Sequence, residues 1–268
     1  MLKDITLGQF FPGDTFIHRL DPRTKLIAVI LYIVALFNAK GWMGYAVMAV
    51  TLAACVKVSH VGLRALVRGL KPLVFIIAFT GILNMFFTPD THYLWEWGIL
   101  RVSVKGIENA LFMVIRIMLL VMGTFLMTYT TSPIRLTDGL ESLLNPLKKI
   151  HVPVHELAMM MAIALRFIPT LIEETDKIMS AQKARGADFD SGNIFQKAKA
   201  LVPILVPLFI SAFRRADELA TAMECRCYHG GEGRTKLHVL KYQRRDYVAL
   251  AGGVVILALV VVLRRLGA

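Results

Sequence analysis

The chain has 268 residues, of which 56% are apolar and 19% charged, and 31 Lys and Arg against 19 Asp and Glu leave a net charge of +12. A mean hydropathy of +0.59 excludes a disordered chain and argues against a soluble single-core domain, where about a quarter of residues carry charge. The basic residues are scattered between apolar runs without an aromatic-interleaved patch, which points to a membrane surface or an acidic protein partner and away from nucleic acid.

Three cysteines, Cys55, Cys225 and Cys227, do not make a disulfide framework. The first twenty residues lack the basic-then-apolar pattern of a cleaved secretion signal. Five apolar stretches then follow along the chain. The first is centred on Leu26–Phe37. With its flanks it reaches about 17 residues, or ~26 Å of helix against a hydrocarbon core of ~30 Å. Asn38-Ala39-Lys40-Gly41 reads as a turn, and the second stretch runs from Trp42 to Val58. Together they predict a helical hairpin; one long span through Lys40-Gly41 is the alternative. Pro72–Phe87, Ala110–Tyr129 and Tyr247–Leu263 are the third, fourth and fifth stretches.

Orientation follows from the basic residues at the span ends. Arg19, Arg23 and Lys25 precede the first span, and Lys57, Arg64, Arg68 and Lys71 lie between the second and third. The turn between the first two has Lys40 alone, and the next loop sets Arg101 and Lys105 against Asp90 and Glu96. A cytoplasmic N-terminus and four crossings by Thr131 satisfy this alternation. Arg264 and Arg265, at the far end of the last span, run against it.

Residues 132–245 differ in kind. They hold 17 Lys and Arg and 12 Asp and Glu, over half of all charges, yet carry helical periodicity. Ser132-Pro133 followed by Leu136, Leu140, Leu143 and Leu147 predicts a short amphipathic helix that Pro146 bends or ends. His155–Ala184 has Leu157, Met161, Leu165, Ile168 and Ile172 in one stripe, with Pro169 midway and charges gathered toward its end. Ile194–Tyr228 is a second long helix, whose apolar half Leu201–Phe213 has 13 residues and the prolines Pro203 and Pro207. Neither apolar run makes a comfortable span. The favoured picture is a pair of long amphipathic helices at the cytoplasmic face; burial against the spans, or one run dipping into the bilayer, are the alternatives. The fold class is therefore an all-α integral membrane protein with about five transmembrane helices plus long amphipathic cytoplasmic helices. Its organisation is 1–131, a membrane region of four spans; 132–245, a cytoplasmic region; and 246–268, a final transmembrane helix.

One pattern occurs twice near the ends of the two long helices. Ala181-Gln182-Lys183-Ala184-Arg185-Gly186 and Ala222-Met223-Glu224-Cys225-Arg226-Cys227 both read Ala-x-x-small-Arg-small, with the arginines 41 residues apart. Small neighbours leave each guanidinium free to present its planar fork to carboxylates or carbonyls in a groove. The plainer alternative is a basic residue complementing a helix dipole, worth roughly 0.3–1 kcal/mol.

With these motifs, the string His18-Arg19-Leu20-Asp21-Pro22-Arg23-Thr24-Lys25-Leu26 completes a pattern that resembles the transmembrane T component of energy-coupling factor (ECF) vitamin transporters, the CbiQ-like family. Arg185 and Arg226 match that family's paired Ala-Arg-Gly coupling motifs. Ala184-Arg185-Gly186 fits the form directly, whereas Cys225 and Cys227 flank Arg226 where Ala and Gly are common. The resemblance implies a division of labour. Two ABC-type ATPase subunits hydrolyse ATP, a separate membrane-embedded S component binds the vitamin or micronutrient, and the T component couples them through residues 132–245. It also implies the cell membrane of a prokaryote. The sequence itself has no G-x-x-x-x-G-K-[ST] phosphate loop. Gly230-Gly231-Glu232-Gly233-Arg234-Thr235-Lys236 has the wrong spacing and reads as a flexible loop. The chain is thus expected to be no enzyme, to need no cofactor and to work inside an ATP-hydrolysing complex.

Other residues are weighed alongside. Arg116 inside the fourth span is a functional candidate by its depth, although snorkelling or a neighbouring helix also accounts for it. Cys225, Cys227 and His229 lack the spacing of a zinc site, so no metal is expected. Met159, Met160 and Met161, beside the small pair Ala158 and Ala162, form an adaptable surface suited to several partners and the candidate docking site for the S component; ordinary membrane packing is the alternative. A secondary transporter with its own substrate site is the competing function, but the middles of the five apolar stretches hold no carboxylate for it.

Overall fold

The computed structural model describes residues 10–88, 93–97, 100–187, 189, 193–231 and 239–266. They fall into two compact units. One comprises Gly8–Gly139 with Leu240–Ala268, the other Leu140–Val239.

The first unit begins with α1 (Pro22–Asn38), capped by Asp21, whose carboxylate accepts the Arg23 N–H. Proline at the first helical position needs no hydrogen bond there. Helix α2 (Gly41–Ser59) follows directly, so a hairpin and not one long span forms at Ala39-Lys40. The third apolar stretch starts earlier than expected. Helix α3 (Leu63–Leu70) leads through a 3₁₀ turn, Lys71–Leu73, into α4 (Val74–Phe87). The 3₁₀ turn holds Pro72, which has no N–H for an α-helical bond. A two-stranded antiparallel hairpin, β1 (Tyr93–Trp97) with β2 (Leu100–Ser103), then interrupts the otherwise all-α chain. Its aromatic-rich first strand suits a pleat, a signal the helical reading passed over. Asp90 lies outside the described residues. Ser103 caps α5 (Val104–Thr130) by accepting the Gly106 N–H at 2.9 Å.

Helix α9 (Arg244–Leu266) packs along α1. At one end the Asp21 N–H donates to Asp246 Oδ1 at 2.8 Å; at the other Arg264 donates to Asn38 Oδ1 at 2.7 Å. The two helices are therefore parallel, and Arg264 lies at the edge where the α1–α2 turn lies. Its charge, anomalous in the sequence pattern, is engaged by the neighbouring helix end. Leu36, Met48 and Leu66 are fully enclosed in the core of this unit. By contrast Phe75, at 78% exposure, and Phe79, Val254 and Val255 face outward. So much outward apolar surface on long helices is what lipid, not water, accommodates. Helices Gly41–Ser59, Leu63–Phe87, Val104–Thr130 and Arg244–Leu266 have the length and composition of membrane spans.

The second unit contains the C-terminal part of α6 (Pro133–Leu144), a 3₁₀ turn over Asn145–Ile150, α7 (Val154–Ala184) and α8 (Ile194–Cys225). Proline at the start of α6 and Pro146 just past its end match the expected short helix. Helix α7 also has the length and apolarity of a span, which the sequence reading did not grant it. Both long helices continue through their prolines, Pro169, Pro203 and Pro207. Residues 232–236 of the expected Gly230–Lys236 loop lie outside the described residues.

Candidate functional site: two arginine-tipped helix ends

Helices α7 and α8 lie against each other antiparallel. Glu174 on α7 bonds Arg215 on α8 at 3.3 Å, and nearer the α7 end Gln182 donates to the Pro203 carbonyl at 3.2 Å. Between them Ile163, Phe167 and Leu171 line a narrow cavity with Ala212, Ala216 and Ala220. The alanines let the two backbones approach. Antiparallel packing sends the two C-terminal ends to opposite ends of the pair. The 203–225 stretch of α8 alone rises roughly 33 Å at ~1.5 Å per residue, so the Arg185 and Arg226 tips stand about that far apart or more.

The two tips share one backbone device. At the first, Gly186 N–H donates to the Lys183 carbonyl and Ala187 N–H reaches back to Gln182. At the second, Cys227 N–H donates to Glu224 and Tyr228 N–H reaches back to Met223. Each is the paired reverse bonding of a helix closed by a left-handed residue, here Gly186 at φ 88° and Cys227 at φ 54°. The repeated small-Arg-small pattern is thus the signature of this cap. The small residue after each arginine takes the left-handed conformation, and the arginine is the last residue before the chain turns away. Ala184, Arg185, Gly186, Cys225, Arg226 and Cys227 are all exposed. They form two separate, solvent-facing tips and do not converge on one site.

Met160 and Met161 are exposed on the first turns of α7 beside exposed Leu157, while Met159 is half-buried and Ala158 buried. The chain leaving Arg226 returns to this end of α7. A Cβ at Gly231 would collide with the His155 imidazole, whose Nδ1 bonds Glu141 at 3.0 Å. His229 Nδ1 bonds the Cys227 carbonyl at 2.8 Å. Among the described residues no three His, Cys, Asp or Glu side chains gather as metal ligands. Arg116 donates through Nε and Nη2 to the Tyr45 hydroxyl at 2.9 and 2.6 Å. Tyr45 lies near the start of α2, so this guanidinium is tied to a neighbouring helix end.

The N-terminal string forms a polar knot whose partners lie far away in sequence. The Asp21 carboxylate receives Arg23 Nε and Nη2, both at 3.1 Å, and the Arg23 guanidinium lies 4.3 Å from the centre of the Tyr242 ring. Buried Asp246 accepts the Asp21 N–H on one oxygen and the Gln243 N–H on the other. The Lys25 ammonium, also buried, donates to the carbonyls of Thr130 and His18 and to the Thr131 hydroxyl. His18 precedes the helix, with Nε2 on the Phe11 carbonyl and Nδ1 on the Thr15 hydroxyl. Burial lowers its pKa from the ordinary value of 6.5, partly opposed by the Phe11 carbonyl. No motif links Asp246 to Asp21, so this contact was beyond sequence reasoning.

Residues 13–237 match the family model of CbiQ, described as a cobalt transport protein. The chain is 50% identical over 263 residues to the energy-coupling factor transporter transmembrane protein EcfT of Ruminiclostridium cellulolyticum, covering 98% of both chains. It is 56% identical over 250 residues to the protein of the same name from Clostridium kluyveri, covering 93% of each. Against the one from Bacillus subtilis it is 47% identical over 264 residues, 98% of this chain and all of that one. Similarity of this extent, on a chain of apolar helices with paired arginine-tipped ends, shows that the protein is a multi-pass membrane protein belonging to the CbiQ family, among its ECF-transporter transmembrane proteins.

Proposed function

We infer that the chain is the coupling subunit of an ECF-type ABC transporter, carrying ATP-driven motion from two ATPase subunits to a separate S component that binds a vitamin or other micronutrient. The observation that carries this reading is the pair of like-built helix caps, each holding an exposed arginine, at opposite ends of one antiparallel helix pair. Two equivalent tips suit two equivalent grooves on a pair of ATPases. Arg185 and Arg226 enter those grooves and bond carboxylates or carbonyls through their planar forks. When the ATPases close, the tips follow, and α7 and α8, joined along their length, move as a unit. The apolar surface of Leu157, Met160 and Met161, with Met159 behind it, then shifts beneath the docked S component. Methionine side chains repack readily and accept S components of different surface.

The chain contributes neither nucleotide chemistry nor substrate specificity in this scheme. It resides in the cell membrane with its N-terminus on the cytoplasmic side, as Arg19, Arg23 and Lys25 around the start of α1 require. Affinity purification of the tagged chain from its native membrane, followed by mass spectrometry, tests the assignment. Two ABC-type ATPase polypeptides (or one in two copies) and a small membrane protein are expected to co-purify. A chain that purifies without any ATPase and moves solute alone in liposomes refutes it.

A further inference from the structure

Helices α1, α2, α5 and α9 enclose a cleft of about 370 Å³ that the coupling mechanism does not use. Small residues carve it: Ala28 on α1, Ala54 on α2, Gly123 on α5, and Ala249, Gly252 and Gly253 on α9. Its polar lining atoms are already bonded within the protein. The Tyr32 hydroxyl donates to the Leu119 carbonyl at 3.1 Å, the Thr51 hydroxyl to Val47 at 2.8 Å and the Thr130 hydroxyl to Met127 at 3.3 Å. The Lys25 ammonium uses three oxygens of its own. With these hydroxyl and ammonium protons already donated and the weakly polar Cys55 thiol beside them, the cleft disfavours water and polar solutes and favours hydrocarbon.

Its depth is equally telling. The cleft begins at Lys25 and the Phe16–Leu20 segment, at the N-terminal ends of α1 and α9, and extends to Ala35 and Ile256. From Lys25 to Ala35 α1 rises ~15 Å, half of a ~30 Å hydrocarbon core. That is the depth of one leaflet, and Lys25, the charged residue among the described lining, lies at its headgroup end.

We propose that this cleft is a binding site for one acyl chain of a phospholipid drawn from the leaflet at the N-terminal end of α1. A chain seated there fills the gap that the small residues leave and joins α9 to the α1–α2 hairpin. Gly252 supplies the test, because a Cβ built on it meets nothing within 4 Å. Gly252→Phe therefore places a ring in the cleft without a backbone collision, while Val254→Phe, outside the lining and already exposed on the same helix, is the control.

The full chain is purified, delipidated and titrated with palmitoyl-oleoyl phosphatidylglycerol under native mass spectrometry. One lipid should survive activation that strips the rest, and Gly252→Phe should lower its retention at least several-fold while Val254→Phe leaves it unchanged. Cys55 gives a second readout that needs no cleft variant. It lines the cleft, whereas Cys225 and Cys227 are exposed. With those two changed to serine, N-ethylmaleimide labelling of Cys55 should slow on lipid addition and saturate near one lipid per chain. Lipids stripped together without a single retained copy, or Cys55 labelling indifferent to lipid, would overturn the proposal. So would a crosslink that places a partner's helix in the cleft of the assembled complex.

Discussion

Cys227 holds a backbone conformation in which a side chain is crowded and glycine is not. The equivalent position of the first tip is glycine, so Cys227→Gly should stabilise the second helix end by up to ~1 kcal/mol without altering Arg226. Thermal unfolding of the purified chain measures this; a lower midpoint would mean that the thiol has a packing role the cap does not need. His18 titrates in the opposite sense to a salt-bridged histidine. Its pKa is lowered by burial, so the folded chain binds fewer protons than the unfolded one, and its contribution is present above about 6.5 and lost as pH falls below it. Unfolding midpoints at pH 7.5 and 5.5 should differ for the native protein, and His18→Gln should reduce that difference. At this scale the sequence was partly legible. Ser132-Pro133 announced a helix start, and the Ala184-Arg185-Gly186 motif lay at a helix end. Cys227 as a left-handed cap was not legible, since its conformation comes from the same reverse bonds that glycine usually closes and cysteine has no preference for them.

Helical periodicity located the elements well where apolar residues were periodic or continuous, because helices in lipid need no more than that. Leu26–Phe37 became α1, and His155–Ala184 became α7 within one residue. The Tyr93–Ser103 hairpin was missed because its strands are short and lie between long apolar runs. What periodicity does not convey is which helices touch. The antiparallel register of α7 and α8 rests on Glu174–Arg215 and Gln182–Pro203, and a half-exposed ion pair of this kind is worth about 1 kcal/mol. The alanine-lined seam therefore holds the pair, and Glu174→Ala should change stability by no more than that amount. In a chain without other cysteines, Glu174→Cys combined with Arg215→Cys should be joined efficiently by a short bis-maleimide. Glu174→Cys combined with Glu224→Cys should not, and equal yields would contradict the register.

The spans enclose a core but leave large apolar side chains outward, as lipid allows, and the second unit places two like-built arginine caps at the ends of one helix pair. Among the described residues neither unit gathers three His, Cys, Asp or Glu side chains that could hold a metal ion. In the proposed function the working parts are surfaces: two charged tips and a methionine-bearing face. Their roles were legible only through resemblance, because two short motifs have meaning as a pair, and their separation is set by packing that no local pattern encodes. The most direct measurement is ATP-driven uptake by the reconstituted complex carrying Arg185→Ala or Arg226→Ala. Removing one partner of a buried charged contact costs several kcal/mol. Each variant should therefore lose uptake by about tenfold or more while its apolar spans still insert and fold. Undiminished uptake and ATPase binding in both variants would contradict coupling through the arginine tips.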